Sequence, residues 1–111
     1  MARLKSEIFL LMRIDSQYIL KPKDIFYFNE RLIIISEEMD HGSMENVIQR
    51  YWRKYSEDFC KYLIYNVALG VKDLHDVNIL HRDLKSDNVL ANSDGVIKIT
   101  DLGCSAQLHA E

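Results

Sequence analysis

Four aspartates and two asparagines share one polar stretch, HRDLKSDNVLANSDGVIKITDLG, running from His81 to Gly103, and three of these groups have the spacing to act together. Asp83 and Asp101 stand eighteen positions apart, with Asn88 between them. Asn88 and Asp101 supply oxygen ligands without thiol or imidazole, a donor set that suits Mg²⁺ rather than zinc. An ion held this way keeps several waters and completes its shell from phosphates. Asp83 is not needed for the metal, so it is free to take a proton from an incoming hydroxyl, help worth typically about 10²-fold to 10⁴-fold in rate. Lys85 extends an ammonium that can neutralise charge on a transferred phosphoryl group. These residue types, at this spacing, read as phosphoryl transfer.

The elements around them must bring the three groups together. NVLA and VIKIT read as short strands joined by a four-residue turn, NSDG, with Ile97 and Ile99 on one face. Paired antiparallel strands align their outer ends, so Asn88 before the first strand meets Asp101 after the second. Asp83 lies five residues before Asn88, on the loop that feeds the hairpin. Upstream, Ser56 offers an N-cap, and Glu57 and Asp58 favour the helix dipole in the first turn. Cys60, Leu63, Ile64, Val67, Val71 and Leu74 form an apolar stripe, which predicts a helix from about Ser56 to His75. Ser43 caps a shorter connecting helix bearing Met44, Val47 and Ile48. DIFYF and RLIIIS, separated by Asn29 and Glu30, read as two antiparallel strands, the second apolar throughout and expected to be buried on both faces. Leu4, Ile8 and Leu11 recur at helical spacing, which predicts a helix over Ala2 to Met12.

The 111 residues allow one modest domain, and 48% hydrophobic content implies a buried core rather than disorder. The net charge of −3 and the scattered basic residues give no basic stripe, which argues against nucleic acid as a partner. No apolar run approaches the roughly 20 residues of a membrane-spanning helix, so no membrane insertion is expected. Cys60 and Cys104 stand alone, without metal-binding or disulfide spacing, and a reducing, intracellular (cytoplasmic) setting is expected.

HRDLKSDN resembles the H-R-D-L-x-x-x-N catalytic loop of protein kinases, and TDLG falls where that family carries its metal-binding D-F-G. At roughly one in twenty per fixed position, the five fixed residues of the loop recur by chance about once in three million windows. HRDLKSDN together with IKITDLGCSAQL is most similar to the Ste20 and p21-activated group of serine/threonine kinases. The resemblance implies an α+β fold, two-lobed and partial: residues 1–36 end a small lobe, 37–42 form a hinge, and 43–111 begin a mainly helical large lobe. It implies Asp83 as the catalytic base, Lys85 as a phosphate contact, Asn88 and Asp101 as magnesium ligands, and His81 and Arg82 as organisers of the loop. Ser36 would take the gatekeeper position, with Glu37 and Met39 offering backbone groups to the adenine edge and Met44 and Leu90 packing against the ring. Glu7 would be the helix glutamate that pairs with a strand lysine. Leu11, His81 and Leu102 would stack as an internal spine, and Gly103 would close the metal loop. The implied cofactors are ATP and Mg²⁺, and the implied partners are a protein substrate with a Ser or Thr acceptor and a regulatory protein.

Two departures qualify that expectation. The family's Gly-rich loop, strand lysine and activation segment have no counterpart in these residues, so the isolated chain is not expected to turn over. Leu102 stands where the family usually has Phe, which alters the packing that sets active and inactive states. Two alternatives therefore stay open: a truncated kinase or pseudokinase acting as a non-catalytic binding module, and a small-molecule phosphotransferase with a similar loop, the latter disfavoured by Arg82 and Lys85.

Overall fold

The computed structural model describes residues 12–51, 53–54, 56–102 and 106–107. Most of the helix expected over Ala2 to Met12 lies outside the described residues, as do Glu7, Leu11, Gly103 and Cys104; Met12 and Arg13 are helical. The first two strands, β1 (Pro22–Phe28) and β2 (Arg31–Ser36), pair antiparallel, with Phe28 opposite Arg31 and an irregularity near Pro22. Asn29 and Glu30 both take positive φ, 50° and 61°, as a two-residue hairpin turn requires to match the twist of its strands.

The expectation that β2 is buried on both faces is not met. Ile33, Ile34 and Ile35 are 42%, 39% and 44% exposed. Among the described residues the ladder remains two-stranded, and its main packing is between its own strands, so neither face has a layer over it.

The chain then passes through β3 (Gly42–Ser43), helix α1 (Met44–Tyr51), helix α2 (Glu57–Asp76), β4 (Ile79–Leu80), a 3₁₀ turn (Ser86–Asn88), β5 (Val89–Ala91), β6 (Ile97–Ile99) and β7 (Ala106–Gln107). Both helices begin on serine caps. The Asn46 N–H donates to Ser43 Oγ at 3.3 Å, and the Phe59 N–H donates to Ser56 Oγ at 3.0 Å. α2 gives way to Asn78, whose φ of 62° is one that asparagine tolerates better than most residues.

The inward line of α2 runs through Phe59, Leu63, Val67, Gly70 and Leu74. Cys60 and Ile64 belong to the expected stripe but are exposed, Ile64 by 67%. Each follows an inward residue directly, and one step along a helix turns the side chain about 100° from its neighbour. Gly70 packs against β6, where a Cβ would stand 2.7 Å from Ile99 Cδ1.

β3, β5 and β6 form a three-stranded antiparallel sheet in that order, while β4 pairs with β7. Two apolar clusters flank α2. One contains Ile14, Ile19, Leu74, Ile79, Ile99 and Leu102; the other contains Met44, Val89, Ala91 and Ile97, and Val67 packs against both. The segment before β1 is fastened to this body. Ile19 bridges Ile99 in parallel, the Ile99 N–H donates to Tyr18 O at 2.7 Å, and the Leu20 N–H donates to Ile99 O at 2.9 Å. Ser16 Oγ adds a hydrogen bond to Asp73 Oδ2 on α2 at 2.5 Å.

Candidate active site

The β5–β6 hairpin forms as its alternation predicts, but its connection is longer than the expected four residues. The strands stop at Ala91 and resume at Ile97, leaving Asn92 to Val96 as the loop. Asn92 accounts for the extra length: its side-chain oxygen accepts the Asp94 and Val96 N–H groups, each at 3.0 Å, while its own N–H donates to Val96 O at 3.1 Å. Gly95, with φ of 81°, supplies the left-handed residue that closes the loop. Its carbonyl accepts the Tyr62 hydroxyl, which ties the turn to α2.

At the open end of the hairpin the pairing of Val89 with Ile99 continues one step further, the Thr100 N–H donating to Asn88 O at 2.9 Å. Asp101 follows directly, so the ladder brings it to the end where Asn88 lies. Asn88 is buried, 5% exposed, and its amide nitrogen is committed to Asp83, donating to the backbone oxygen at 2.8 Å and reaching Oδ2 at 3.4 Å. That orientation leaves Oδ1 as the atom of the carboxamide that could serve a cation. Asp101 is exposed, and both Asp101 and Arg82 hold left-handed backbone, φ 62° and 67°. Non-glycine residues held there cost on the order of 1–3 kcal/mol each, strain that functional loops commonly store.

His81 holds the two halves of the site together. It is 4% exposed, with Nε2 2.9 Å from Thr100 O and Nδ1 3.2 Å from the Asp83 nitrogen. A carbonyl can only accept and a backbone N–H can only donate, so the ring carries its proton on Nε2 and accepts through Nδ1. One neutral tautomer thus links the loop before the hairpin to the residue before Asp101. Lys85 Nζ lies 3.6 Å from Asp83 Oδ2, with its side chain 55% exposed.

The remaining expected residues distribute unevenly. Leu102 is buried in the first apolar cluster. Leu90, half-buried, faces the opposite side of β5 from Val89 and Ala91. Met44 does not share Leu90's surroundings: it is 1% exposed within the core formed with Val89, Ala91 and Ile97, because the Ser43 cap turns the first residue of α1 inward. Ser36 ends β2 and is half-buried, and the Met39 carbonyl is engaged by the Gly42 N–H at 2.8 Å.

Residues 37–41 are clamped to the hairpin by contacts that no motif foretold. Lys98 Nζ, on a side chain only 16% exposed, meets Glu37 Oε1 at 2.5 Å. The His41 N–H donates to Ala91 O at 3.1 Å, and the Ser93 N–H donates to Asp40 Oδ1 at 2.9 Å. The hydrogen bond from the Ser93 backbone holds the Asp40 carboxyl below its ordinary value, with the Ser93 side chain adding to it. The only clue in the sequence was the alternation that put Lys98 on the opposite face of β6 from Ile97 and Ile99.

A buried carboxamide with a committed nitrogen and an exposed carboxylate nearby fit a hard cation that shares its shell with water and phosphate oxygens. Among the described residues no group of three or more His, Cys, Asp or Glu forms a metal cage. Nor is any described helix long and apolar enough to cross a membrane.

Comparison with known proteins gives the chain's family. The chain is 31% identical over 107 residues to a probable serine/threonine-protein kinase of Dictyostelium discoideum, covering 96% of this chain and 21% of that protein. It is 37% identical over 102 residues to extracellular signal-regulated kinase 1 of the same organism, covering 87% and 19% respectively. To serine/threonine-protein kinase 10 of Danio rerio it is 34% identical over 101 residues, covering 91% and 10%. The chain thus spans about a fifth or less of the length of these relatives. The family model described as protein kinase domain matches residues 2–111, and the chain belongs to that family.

Proposed function

We propose that this chain is the part of a protein serine/threonine kinase that contains the hinge and the catalytic and magnesium loops, and that the whole protein transfers the γ-phosphoryl group of ATP to Ser or Thr hydroxyls. Residues 1–36 then end the small lobe, 37–42 form the hinge, and 43–111 open the large lobe. The observation that carries this reading is the shared anchorage of Asp83 and Asn88, with Asp101 delivered to the same end by the Thr100–Asn88 hydrogen bond.

In this reading Asp83 accepts the proton of the attacking hydroxyl. Its backbone N–H is fixed by His81 and its carboxylate lies beside Lys85, whose ammonium is positioned to offset negative charge on the group in transit. Asn88 Oδ1 and the Asp101 carboxylate hold Mg²⁺, which when bound neutralises phosphate charge. Glu37 and Met39 contact the adenine edge through their backbones, with Leu90 beneath the ring and Ser36 behind it. Arg82, Leu102 and Gly103 support the loops, and Glu7 orients a strand lysine. The protein acts inside the cell, on a protein substrate and under control of a regulatory partner.

In the full-length gene product, Asp83→Asn is expected to lower the phosphorylation rate by at least 10²-fold to 10⁴-fold while nucleotide still binds. An unchanged rate would overturn the base assignment.

A further inference from the structure

Asn88 is the last residue of a 3₁₀ turn only three residues long, and such turns have poorer hydrogen-bond geometry than an α-helix. Inside the turn, the Asn88 N–H donates to Lys85 O at 2.9 Å and the Val89 N–H donates to Ser86 O. The far end of the turn is well held, through the Asn88 side chain on Asp83 and the Thr100 N–H on Asn88 O. The near end depends on another element. The Ser86 hydroxyl donates to Glu45 Oε2 on the first turn of α1, across 41 residues of sequence, at 2.5 Å.

Glu45 is itself oriented before it reaches across. Its other oxygen, Oε1, accepts Gln49 Nε2 one helical turn further along α1 at 3.0 Å. α1 is registered to the same hairpin, because its cap Ser43 lies in β3 opposite Leu90 of β5. Helix and turn are therefore joined twice, by a strand pairing behind Asn88 and by a charge-assisted hydrogen bond ahead of it. The catalytic-loop pattern constrains neither partner: Ser86 falls at one of its variable positions and Glu45 lies outside it.

We infer that Glu45 is a positioning residue for the phosphoryl-transfer site, acting through Ser86 to fix the turn that presents Asn88 Oδ1 to Mg²⁺. This rests on the functional reading above. Neither Glu45 nor Ser86 touches the reacting atoms; their effect is on how well the amide oxygen is aimed.

The test is calorimetric binding of adenylyl imidodiphosphate to the full-length gene product, with Mg²⁺ and with chelator. The variants are Glu45→Ala, Ser86→Ala, the pair combined, and Ser86→Thr. Supporting groups around metal ligands typically change metal affinity by about 10-fold to 100-fold, so either alanine variant is expected to cut the tightening caused by Mg²⁺ by about tenfold. Affinity in chelator should stay unchanged, the pair combined should lose no more than either alone, and Ser86→Thr, which keeps the hydroxyl, should behave like wild type. A merely structural role would lower the number of competent sites and leave the Mg²⁺ effect intact. That result, or losses that add, overturns the inference while leaving the kinase reading standing. If Mg²⁺ does not tighten binding in wild type, the kinase reading fails and the inference falls with it.

Discussion

Replacing Gly70 by alanine probes how closely α2 sits on the strand that leads to Asp101. A Cβ built at Gly70 meets Ile99 Cδ1 at 2.7 Å and Tyr18 Cβ at 3.2 Å. Carbon atoms prefer about 3.5–4.0 Å, so the first contact lies deep in the repulsive range. Ile99 has little room to yield, being 0% exposed and enclosed by Ile14, Ile19, Leu74, Ile79 and Leu102. Overpacking of this kind costs about 1–3 kcal/mol, and alanine returns about 1 kcal/mol through its better helix propensity. The net expectation is a loss of up to about 2 kcal/mol. Ile99→Val deletes the clashing methyl and alone costs about 0.5–1.5 kcal/mol. Combined with Gly70→Ala it should cost less than the sum of the two, by about 1 kcal/mol. Urea denaturation of the full-length gene product, followed by circular dichroism with an unchanged m-value, measures each loss. The reasoning is refuted if Gly70→Ala is stabilising, or if the effects of the two substitutions simply add.

Two further outcomes follow from the contacts around the hinge and the helices. Asp40 titrates below the ordinary aspartate range, about 3.9, because the Ser93 N–H donates to it. A depressed folded value means the bond contributes stability above that range and loses it as pH falls through the folded value. A carboxyl-carbon NMR titration should show the lowered midpoint, and Ser93→Ala should raise it only partway, since the larger cause is the backbone N–H. Ser56→Ala removes the cap of α2 and should cost about 1 kcal/mol, read from the same denaturation curves; no loss would show that the cap is replaced by water.

The caps at Ser43 and Ser56, the Asn29–Glu30 turn and the β5–β6 hairpin were all legible in the sequence, because each rests on local backbone chemistry. So was the approach of Asn88 to Asp101, which needs only a ladder read one residue past its end. The burial of β2 was misread: an apolar run says that a strand wants cover, while whether a layer lies over it is decided by elements far away in sequence. Cys60 and Ile64 were assigned to the wrong side of α2 because helical spacing alone tolerates a shift of one residue. For the Glu37–Lys98 contact only the face taken by Lys98 was legible, and the Asp40–Ser93 and Glu45–Ser86 contacts not at all, since each joins side chains or loops that only the assembled fold brings within reach.

The attachment of the β1–β2 ladder has a mechanical consequence. The ladder is entered through Leu20 and left through Glu37, and those two residues are fastened to consecutive positions of one strand, Ile99 and Lys98. Both ends of the ladder are thus sewn to one seam rather than to separate elements. Here the seam is β6, whose last residue lies two positions before Asp101. The strand that anchors the ladder is therefore also the stem on which that carboxylate stands.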